Sequence, residues 1–152
     1  MKSRISIRSR APQASSPLVR RIMQANTNRE TAIEMKVRSS LHMAGLRFRK
    51  EESPVAGLRC KADVVFRRQK VCIFIDGCFW HGCPKHFVNP NVNAGWWQEK
   101  IAANRERDRI QTRLLRAHGW VVLRYWEHEI DQKSLPHIAA DVRKALGGAT
   151  GG

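Results

Sequence analysis

The densest group of metal-binding side chains lies in the stretch CFWHGCPKH, which supplies Cys78, Cys83 and His86. Thiolate and imidazole are ligands that zinc prefers, and a structural zinc site is closed by four protein ligands. A fourth ligand must therefore come from elsewhere. His128, in the stretch WEHE, is the best candidate, and His81 is its rival. The alternative interpretation is a pair of free cysteines beside exposed histidines.

Two carboxylates could form a second, hydrolytic site. Asp63 precedes β-favouring apolar residues on one predicted strand, and Asp76 ends the next predicted strand. Adjacent strands of a hairpin lie about 5 Å apart, so these carboxylates could share Mg²⁺, which binds hard oxygen ligands. Mg²⁺ beside a phosphate can activate water for hydrolysis. The alternative for Asp63 is a structural ion pair with an arginine.

His81 follows Asp76 closely and is available for chemistry if four other residues bind zinc. An imidazole with its ordinary pKa of about 6.5 can act as a general base at neutral pH. Glu34 is the carboxylate that we expect to orient it. The alternative for Glu34 is a purely structural role in a T-x-x-E capping box with Thr31.

Aromatic and polar side chains near these sites could bind DNA. Phe79 and Trp80 lie between zinc ligands, and Trp97 lies near the start of a long predicted helix. Such side chains can enter and partly unstack a base step, which costs least at a mismatch. Trp97, Lys100 and Asn104 share one helix face, where Lys100 could bind phosphate and Asn104 phosphate or a base edge. The alternatives are core aromatic residues and a solvated charged face.

The overall composition favours a nucleic acid partner. The chain has 152 residues, with 28 Lys and Arg against 13 Asp and Glu and a net charge of +15. Self-repulsion on this scale suits a protein that binds a polyanion. No apolar run approaches the roughly 20 residues of a membrane span, and no secretory signal is visible. We therefore expect a cytoplasmic protein whose cysteines bind metal or, like Cys72, fill the core.

The elements that must position these residues suggest a single α/β domain. We expect a disordered basic arm over residues 1–19, a nuclease domain over 20–146 and a disordered tail over 147–152. Helical periodicity and β-rich runs predict the order α-β-β-β-α-β-α around a mixed central sheet. The predicted elements are a helix from the Thr31 cap to Gly45, strands Leu46–Lys50, Cys60–Phe66 and Val71–Ile75, a helix Trp96–His118, a strand Trp120–Trp126 and a helix Leu135–Leu146.

Together these segments resemble the very-short-patch repair (Vsr) endonuclease family. The resemblance extends from Arg29 to Glu129, most of the predicted domain. The stretches that match are RETAIEMKVRSSLHMAGLRFR, KADVVF, VCIFIDGCFWHGCPKHF, WWQEKIAANRERDR and GWVVLRYWEHE, in the family's order. The CFWHG-C-P-x-H stretch together with WEH is its most specific part.

The resemblance implies a fold similar to type II restriction endonucleases, with helices flanking the sheet and a structural zinc site. It also implies Mg²⁺-dependent hydrolysis of the phosphodiester 5′ of the thymine in a T·G mismatch, a pair that arises when 5-methylcytosine deaminates. The expected partner is double-stranded DNA containing that mismatch, with mismatch-repair proteins as further candidates. We expect a monomer with one site, which would nick one strand.

The resemblance also assigns roles to individual residues. Asp63 is similar to the Mg²⁺ ligand of the family, helped by the backbone carbonyl of Ile75, and His81 to the general base, oriented by Glu34. The zinc positions fall on Cys78, Cys83, His86 and His128. The intercalating positions fall on Phe79, Trp80 and Trp97.

One departure from the family concerns Asp76, since some members have a catalytic histidine at this position. A carboxylate cannot stabilise phosphate as a cation, so Asp76 is expected to be a second metal ligand. The leaving-group role would then fall partly to Lys61 or Lys100. Two other hypotheses remain: a zinc-stabilised DNA-binding module without catalysis, and a restriction or homing-type endonuclease that cuts both strands.

Overall fold

The structure is a computed structural model that describes residues 32–78 and 81–149. Several predicted features lie outside the described residues. They are the basic arm over residues 1–19, the cap residue Thr31, the aromatic pair Phe79 and Trp80, and residues 150–152 of the predicted tail.

In the described part of the chain, four strands form one mixed sheet in the order β1-β2-β3-β4. They are β1 (Arg49–Glu52), β2 (Ala62–Phe66), β3 (Val71–Asp76) and β4 (Val121–Trp126). β2 pairs antiparallel with both β1 and β3, whereas β4 lies parallel to β3. The predicted hairpin of the two strands that contain Asp63 and Asp76 is therefore confirmed, and so is the mixed sheet.

Within the described residues, three α-helices flank the sheet. The described part of α1 covers residues 32–43, α2 is Ala94–Ala117 and α3 is Leu135–Ala149. α2 connects the parallel strands β3 and β4, as a parallel pair requires a crossover segment. Gly45 and Gly119 follow α1 and α2 with φ of 80° and 83°, a left-handed conformation that glycine adopts without strain. No helix in the described part of the chain is long and apolar enough to cross a membrane.

The core has two layers, one on each face of the sheet. α1 and α3 cover one face with a cluster that includes Val37, Leu41 and Val142. The other face packs against the end of α2, where Leu115 and Trp120 contact residues of β2, β3 and β4. Cys72 is fully buried in this second layer, which confirms its prediction as a core residue.

The predicted bounds of two elements were wrong. The first strand begins at Arg49 rather than Leu46, because Leu46 and Phe48 pack on the α1 and α3 layer before strand pairing begins. The last helix continues past Leu146 to Ala149, through two glycines that had been assigned to the tail. Each glycine costs a helix about 1 kcal/mol, but the preceding residues Ala145 and Leu146 are anchored on the core. The other elements begin or end within about two residues of their predicted bounds.

Candidate active site and metal centre

The four predicted metal ligands lie together beyond the ends of β3 and β4. One ligand atom from each of Cys78, Cys83, His86 and His128 lies within 4.8 Å of all the others. The His128 Nδ1 atom lies 3.3 Å from Cys78 Sγ and 3.5 Å from Cys83 Sγ. Tetrahedral zinc with ordinary bond lengths would separate sulfur from nitrogen by about 3.5 Å. The geometry of this cluster therefore suits a tetrahedral metal ion.

The parallel pairing of β3 and β4 explains why distant residues meet at this cluster. Asp76 is paired with Trp126 at the ends of the two strands, and Cys78 and His128 each follow two residues later. A side-chain oxygen of Glu127 accepts a hydrogen bond from the Cys78 backbone N–H at 3.1 Å, which ties the two strand ends together. The sheet register thus positions two ligands that are 50 residues apart in the chain.

The raised pKa of the Cys78 thiol fits a residue that binds a metal ion. Burial, followed by the charges of Glu127 and Cys83, raises the pKa of the Cys78 thiol to about 12, despite an opposing hydrogen bond with His128. A thiolate without a positive partner is unfavourable in this position. A bound metal ion supplies that charge and deprotonates a coordinating thiol.

The loop that contains the cluster is pressed against α2 at Gly82. This glycine has a φ of 62°, and a Cβ atom there would lie 2.6 Å from Cγ2 of Ile101. Only glycine allows such a close approach without movement of the helix. Because Gly82 lies between His81 and Cys83, α2 fixes both the candidate general base and a candidate metal ligand.

An acidic pair joins α1 to the centre of the sheet. The side chains of Glu34 and Asp63 share a hydrogen bond, and Asp63 Oδ2 also accepts one from the Ile75 backbone N–H at 2.7 Å. Arg38 donates from Nε and Nη2 to the Asp63 carbonyl oxygen at 3.3 and 3.1 Å. The same guanidinium lies 3.7 Å from Glu34. Arg38 thus holds the strand and the helix together without neutralising the pair fully.

Both carboxylic acids of this pair hold protons more tightly than usual. Burial and the charge of Asp63 raise the pKa of Glu34 to about 7. Burial also raises the pKa of Asp63, outweighing the hydrogen bond from Ile75 and the charge of Arg38. Two carboxyl groups this close cannot both ionise cheaply, so they share a proton near neutral pH.

His81 pairs with a carboxylate that the sequence analysis did not single out. Its Nδ1 atom is hydrogen bonded to Asp108 Oδ2 and lies 3.8 Å from Asp76 Oδ1. Burial lowers the pKa of His81, but Asp108 and Asp76 outweigh burial, so the pKa lies above its ordinary value. The orienting partner of His81 in this structure is therefore Asp108. Glu34, which we expected in that role, lies beside Asp63 instead.

Arg124 on β4 is the cation that pairs with Asp76 and Asp108, the two carboxylates near His81. Its Nε donates to Asp76 Oδ2 at 3.3 Å, its Nη1 donates to Thr112 Oγ1 at 3.1 Å, and its Nη2 lies 3.6 Å from Asp108 Oδ1. The guanidinium also stacks over Phe74 at 4.4 Å. Four contacts from two elements, β3 and α2, fix this side chain in place.

Asp76 is the one buried charged residue within the described part of the chain, with 8% of its surface exposed. Burial raises its pKa, while Arg124 and His81 lower it and Asp108 raises it further. Asp76, His81 and Asp108 also lie close enough together to bind a metal ion. Asp63 and Asp76 interact electrostatically across the hairpin, so the acidic pair and the His81 group form one continuous site.

A cavity of about 510 Å³ opens beside this site. Asp76, His81 and Asp108 form part of its wall. The rest is rich in cations from α2 and β4, with Arg105, Arg109, Arg113, Arg116 and Arg124 among its lining residues. An open, basic cavity next to clustered carboxylates is suited to a negatively charged substrate.

The described DNA-binding candidates differ in exposure. Lys100 is exposed and Asn104 is half-buried, so both can face a ligand. Trp97 is only 6% exposed and packs edge-on against Trp96. Intercalation by Trp97 would therefore require α2 or its surroundings to move, and in this structure Trp97 is a core residue.

Asp108 and Arg124 were missed although each had a signal in the sequence. Asp108 lies seven residues after Ile101 and seven before Leu115, both of which are buried, so it belongs to the inward stripe of α2. Arg124 lies two residues after Val122 on β4 and therefore shares its face of the sheet. Val122 belongs to the buried layer beneath α2. The charges on either side of Asp108 suggested an exposed helix face, whereas Arg124 is the one charged residue of an otherwise uncharged strand.

Comparison with known proteins gives concordant matches. The sequence model of the family described as DNA mismatch endonuclease Vsr matches residues 17–86. The type II nicking enzyme V.NaeI of Lentzea aerocolonigenes is 46% identical over 111 residues, 72% of this chain and 67% of that protein. The type II nicking enzyme V.XorIIP of Xanthomonas oryzae pv. oryzae is 38% identical over 133 residues, 86% and 94% of the two chains. The DNA mismatch endonuclease Vsr of Escherichia coli K12 is 39% identical over 106 residues, 69% and 66% of the two chains.

Proposed function

Because this chain belongs to the DNA mismatch endonuclease Vsr family and is therefore an endodeoxyribonuclease, we propose that it nicks duplex DNA 5′ of the thymine in T·G mismatches. The observation that supports a hydrolytic site most directly is its composition. Asp63 and Asp76 interact across the β2–β3 hairpin, and the His81–Asp108 pair lies beside Asp76 in the wall of the arginine-rich cavity.

Mg²⁺ is the metal ion that fits the acidic side chains. Asp63 and Asp76, with the backbone carbonyl of Ile75, would hold it, because hard oxygen ligands suit Mg²⁺ and not a softer metal. The raised pKa values of Glu34 and Asp63 support this proposal, since a cation would relieve the repulsion that causes them. When bound, the ion supplies a more acidic water and charge stabilisation at phosphate.

His81 is proposed to accept the proton of the attacking water. Its Nδ1 pairs with Asp108, which leaves Nε2 to face the reacting group, and Asp108 fixes the tautomer and the ring orientation. Glu34 is proposed to tune Asp63, with which it shares a proton, rather than to act on His81. Lys100, Asn104 and the aromatic pair Phe79 and Trp80 remain proposed DNA contacts.

The cysteine–histidine cluster is proposed to bind structural zinc through Cys78, Cys83, His86 and His128. Soft thiolates and imidazoles favour zinc over Mg²⁺, and four protein ligands leave no position open for catalysis. The sheet with its flanking helices is proposed to be a variant of the restriction endonuclease fold. Nicking rather than double-strand cutting is supported by relatives that are named nicking enzymes.

The direct test compares nicking of a matched duplex with that of duplexes bearing one T·G pair in several flanking contexts, with Mg²⁺ present. We expect a single nick immediately 5′ of the mismatched thymine. Cleavage of both strands, or equal nicking of the matched duplex, would refute the proposed specificity. Omission of Mg²⁺ should remove the activity.

Replacing Asp108 with asparagine should lower the nicking rate about 100-fold, the usual scale for general acid–base catalysis. Asparagine keeps the shape of the side chain but cannot stabilise charge on His81. Because Asp108 and Asp76 hold the pKa of His81 above its ordinary value, the rising limb of the pH–rate profile should also move to lower pH. An unmoved profile would argue against pairing of these residues during catalysis.

The acidic pair predicts that Mg²⁺ stabilises the protein more at pH 8 than at pH 5.5. Between the ordinary pKa of Glu34, 4.5, and its folded value of about 7, the unfolded chain ionises while the folded protein keeps its proton. The free energy of unfolding of the magnesium-free protein should therefore fall across this window. Mg²⁺ held by Asp63 would favour the ionised form of the pair, so it should raise the Tm by about 3 °C at pH 8.

This prediction is checked by thermal unfolding with and without Mg²⁺ at both pH values. Asp63→Asn is the control, since it removes one ionisable group from the pair and should abolish the Mg²⁺-dependent rise. A rise that is equal at the two pH values would contradict the shared proton.

A further inference from the structure

Arg124 has hydrogen-bonding capacity that its neighbours in the protein do not use. A guanidinium has five N–H donors, and the hydrogen bonds to Asp76 and Thr112 occupy two of them. The Asp108 carboxylate, at 3.6 Å from Nη2, is an ion-pair partner rather than a close acceptor. Arg124 also lines the arginine-rich cavity, so remaining donors are accessible to an acceptor that enters there.

The surroundings of Arg124 restrict the orientation of its side chain before any acceptor binds. Its side chain is only 21% exposed, and the ring of Phe74 supports one face of the guanidinium. The register of β3 and β4 pairs Arg124 with Phe74. The pair formed by Asp76 and Trp126 lies two residues further along the two strands, on the same face of the sheet. A planar donor group fixed in this way loses little conformational freedom on binding a tetrahedral anion.

The charge of the cavity indicates what that anion is. Five arginines line it against two carboxylates, Asp76 and Asp108. Arg105, Arg109, Arg113 and Arg116 follow one side of α2, at the spacing of successive helical turns. A row of cations beside the fixed guanidinium of Arg124, which contacts Asp108 and Thr112 in the middle of that row, fits a chain of phosphates better than a single small ion.

We propose that Arg124 binds the scissile phosphate of the DNA substrate and stabilises the negative charge that develops there during hydrolysis. This inference rests on the proposed function, because it requires a phosphodiester to lie beside Asp76 and His81. Arg124 would then provide the cation that Asp76, as a carboxylate, cannot provide. Lys61 and Lys100 are exposed, and neither is among the described residues that line the cavity.

Binding measurements can separate a phosphate contact from a structural role. The duplex is whichever one the wild-type protein nicks, with or without a mismatch, and a second duplex carries an uncharged methylphosphonate at the scissile position. Dissociation constants for both are measured by fluorescence anisotropy without Mg²⁺, for wild type and Arg124→Gln. This double-mutant cycle isolates the coupling between the side chain and that one phosphate.

We expect the methylphosphonate to weaken wild-type binding about tenfold but to weaken Arg124→Gln binding less than about twofold, as a charge-assisted contact would give. Arg109→Gln is the matched control. Arg109 lines the same cavity but is 64% exposed and pairs with Glu106, so this variant should keep the wild-type ratio. Equal ratios for wild type and Arg124→Gln would overturn the proposal.

Single-turnover nicking rates provide the second part of the test. In single-turnover nicking, Arg124→Gln should be slowed about 100-fold or more, beyond its loss of affinity, as for removal of one transition-state donor. Arg124→Lys should restore part of that rate. If Arg124→Gln is unfolded at the assay temperature, Arg124→Met, which retains apolar contact with Phe74, replaces it in the same cycle. If the wild type nicks matched and mismatched duplexes alike, the proposed specificity fails while this cycle still decides the role of Arg124.

Discussion

Replacing Asp63 with asparagine or alanine is expected to abolish nicking while leaving DNA binding largely intact. Asp63 lies at the centre of the site, where it interacts with Glu34, the Ile75 backbone and the charge of Asp76. Loss of such a group typically lowers kcat by about 10³-fold or more. Affinity should change less than about threefold, or even improve, because a negative charge beside the phosphates is removed.

The measurement is single-turnover nicking together with anisotropy binding to the same duplex. Asp141→Asn is a suitable control, since Asp141 lies on α3 and accepts a hydrogen bond from the Tyr125 hydroxyl. This control should nick at the wild-type rate. Equal loss of nicking and binding in a folded Asp63→Asn protein would contradict a role for Asp63 in the chemical step.

Removal of the metal from the cysteine–histidine cluster is expected to unfold the protein. A structural zinc ion contributes about 10–16 kcal/mol to small zinc domains. The whole free energy of unfolding of a typical domain is only about 5–15 kcal/mol. The candidate ligands come from the loop between β3 and α2 and from the residues after β4, so their release would free the loop and the end of β4 together.

Chelation followed by thermal unfolding, with elemental analysis of the starting protein, tests this expectation. Cys83→Ser should reproduce the loss without a chelator. Cys60→Ala is the matched control, because Cys60 is buried outside the cluster and its replacement should cost only about 1 kcal/mol. Unchanged thermal stability after complete removal of the metal would refute the structural role.

The elements of the fold were predictable because their signals are local. Apolar periodicity marked α1, the hairpin and β4, and the glycines at 45 and 119 marked where helices end. The predicted start of β1 was wrong because Leu46 and Phe48 alternate as a strand does, yet pack on the core as part of a connection. Alternation reports which side is buried, not whether a neighbouring strand is present.

The candidate site was predictable where its residue types are unusual and not where they are common. Cysteines, histidines and an aspartate on an apolar strand are conspicuous, and the four cluster ligands do lie together. In contrast, Asp108 and Arg124 are one acidic and one basic residue among the many charged residues of the chain. Their partners His81 and Asp76 lie 27 and 48 residues away in the chain. Only the assembled sheet, with α2 crossing it, brings these pairs together.

The close approach of Gly82 to α2 limits how this enzyme can evolve. Three successive positions hold the candidate base His81, a glycine in contact with Ile101 and the candidate metal ligand Cys83. An insertion, a deletion or almost any substitution there would disturb chemistry and stability together. New preferences for flanking bases should therefore arise on the exposed side of α2, where side chains can diversify without penalty, while this short loop stays fixed.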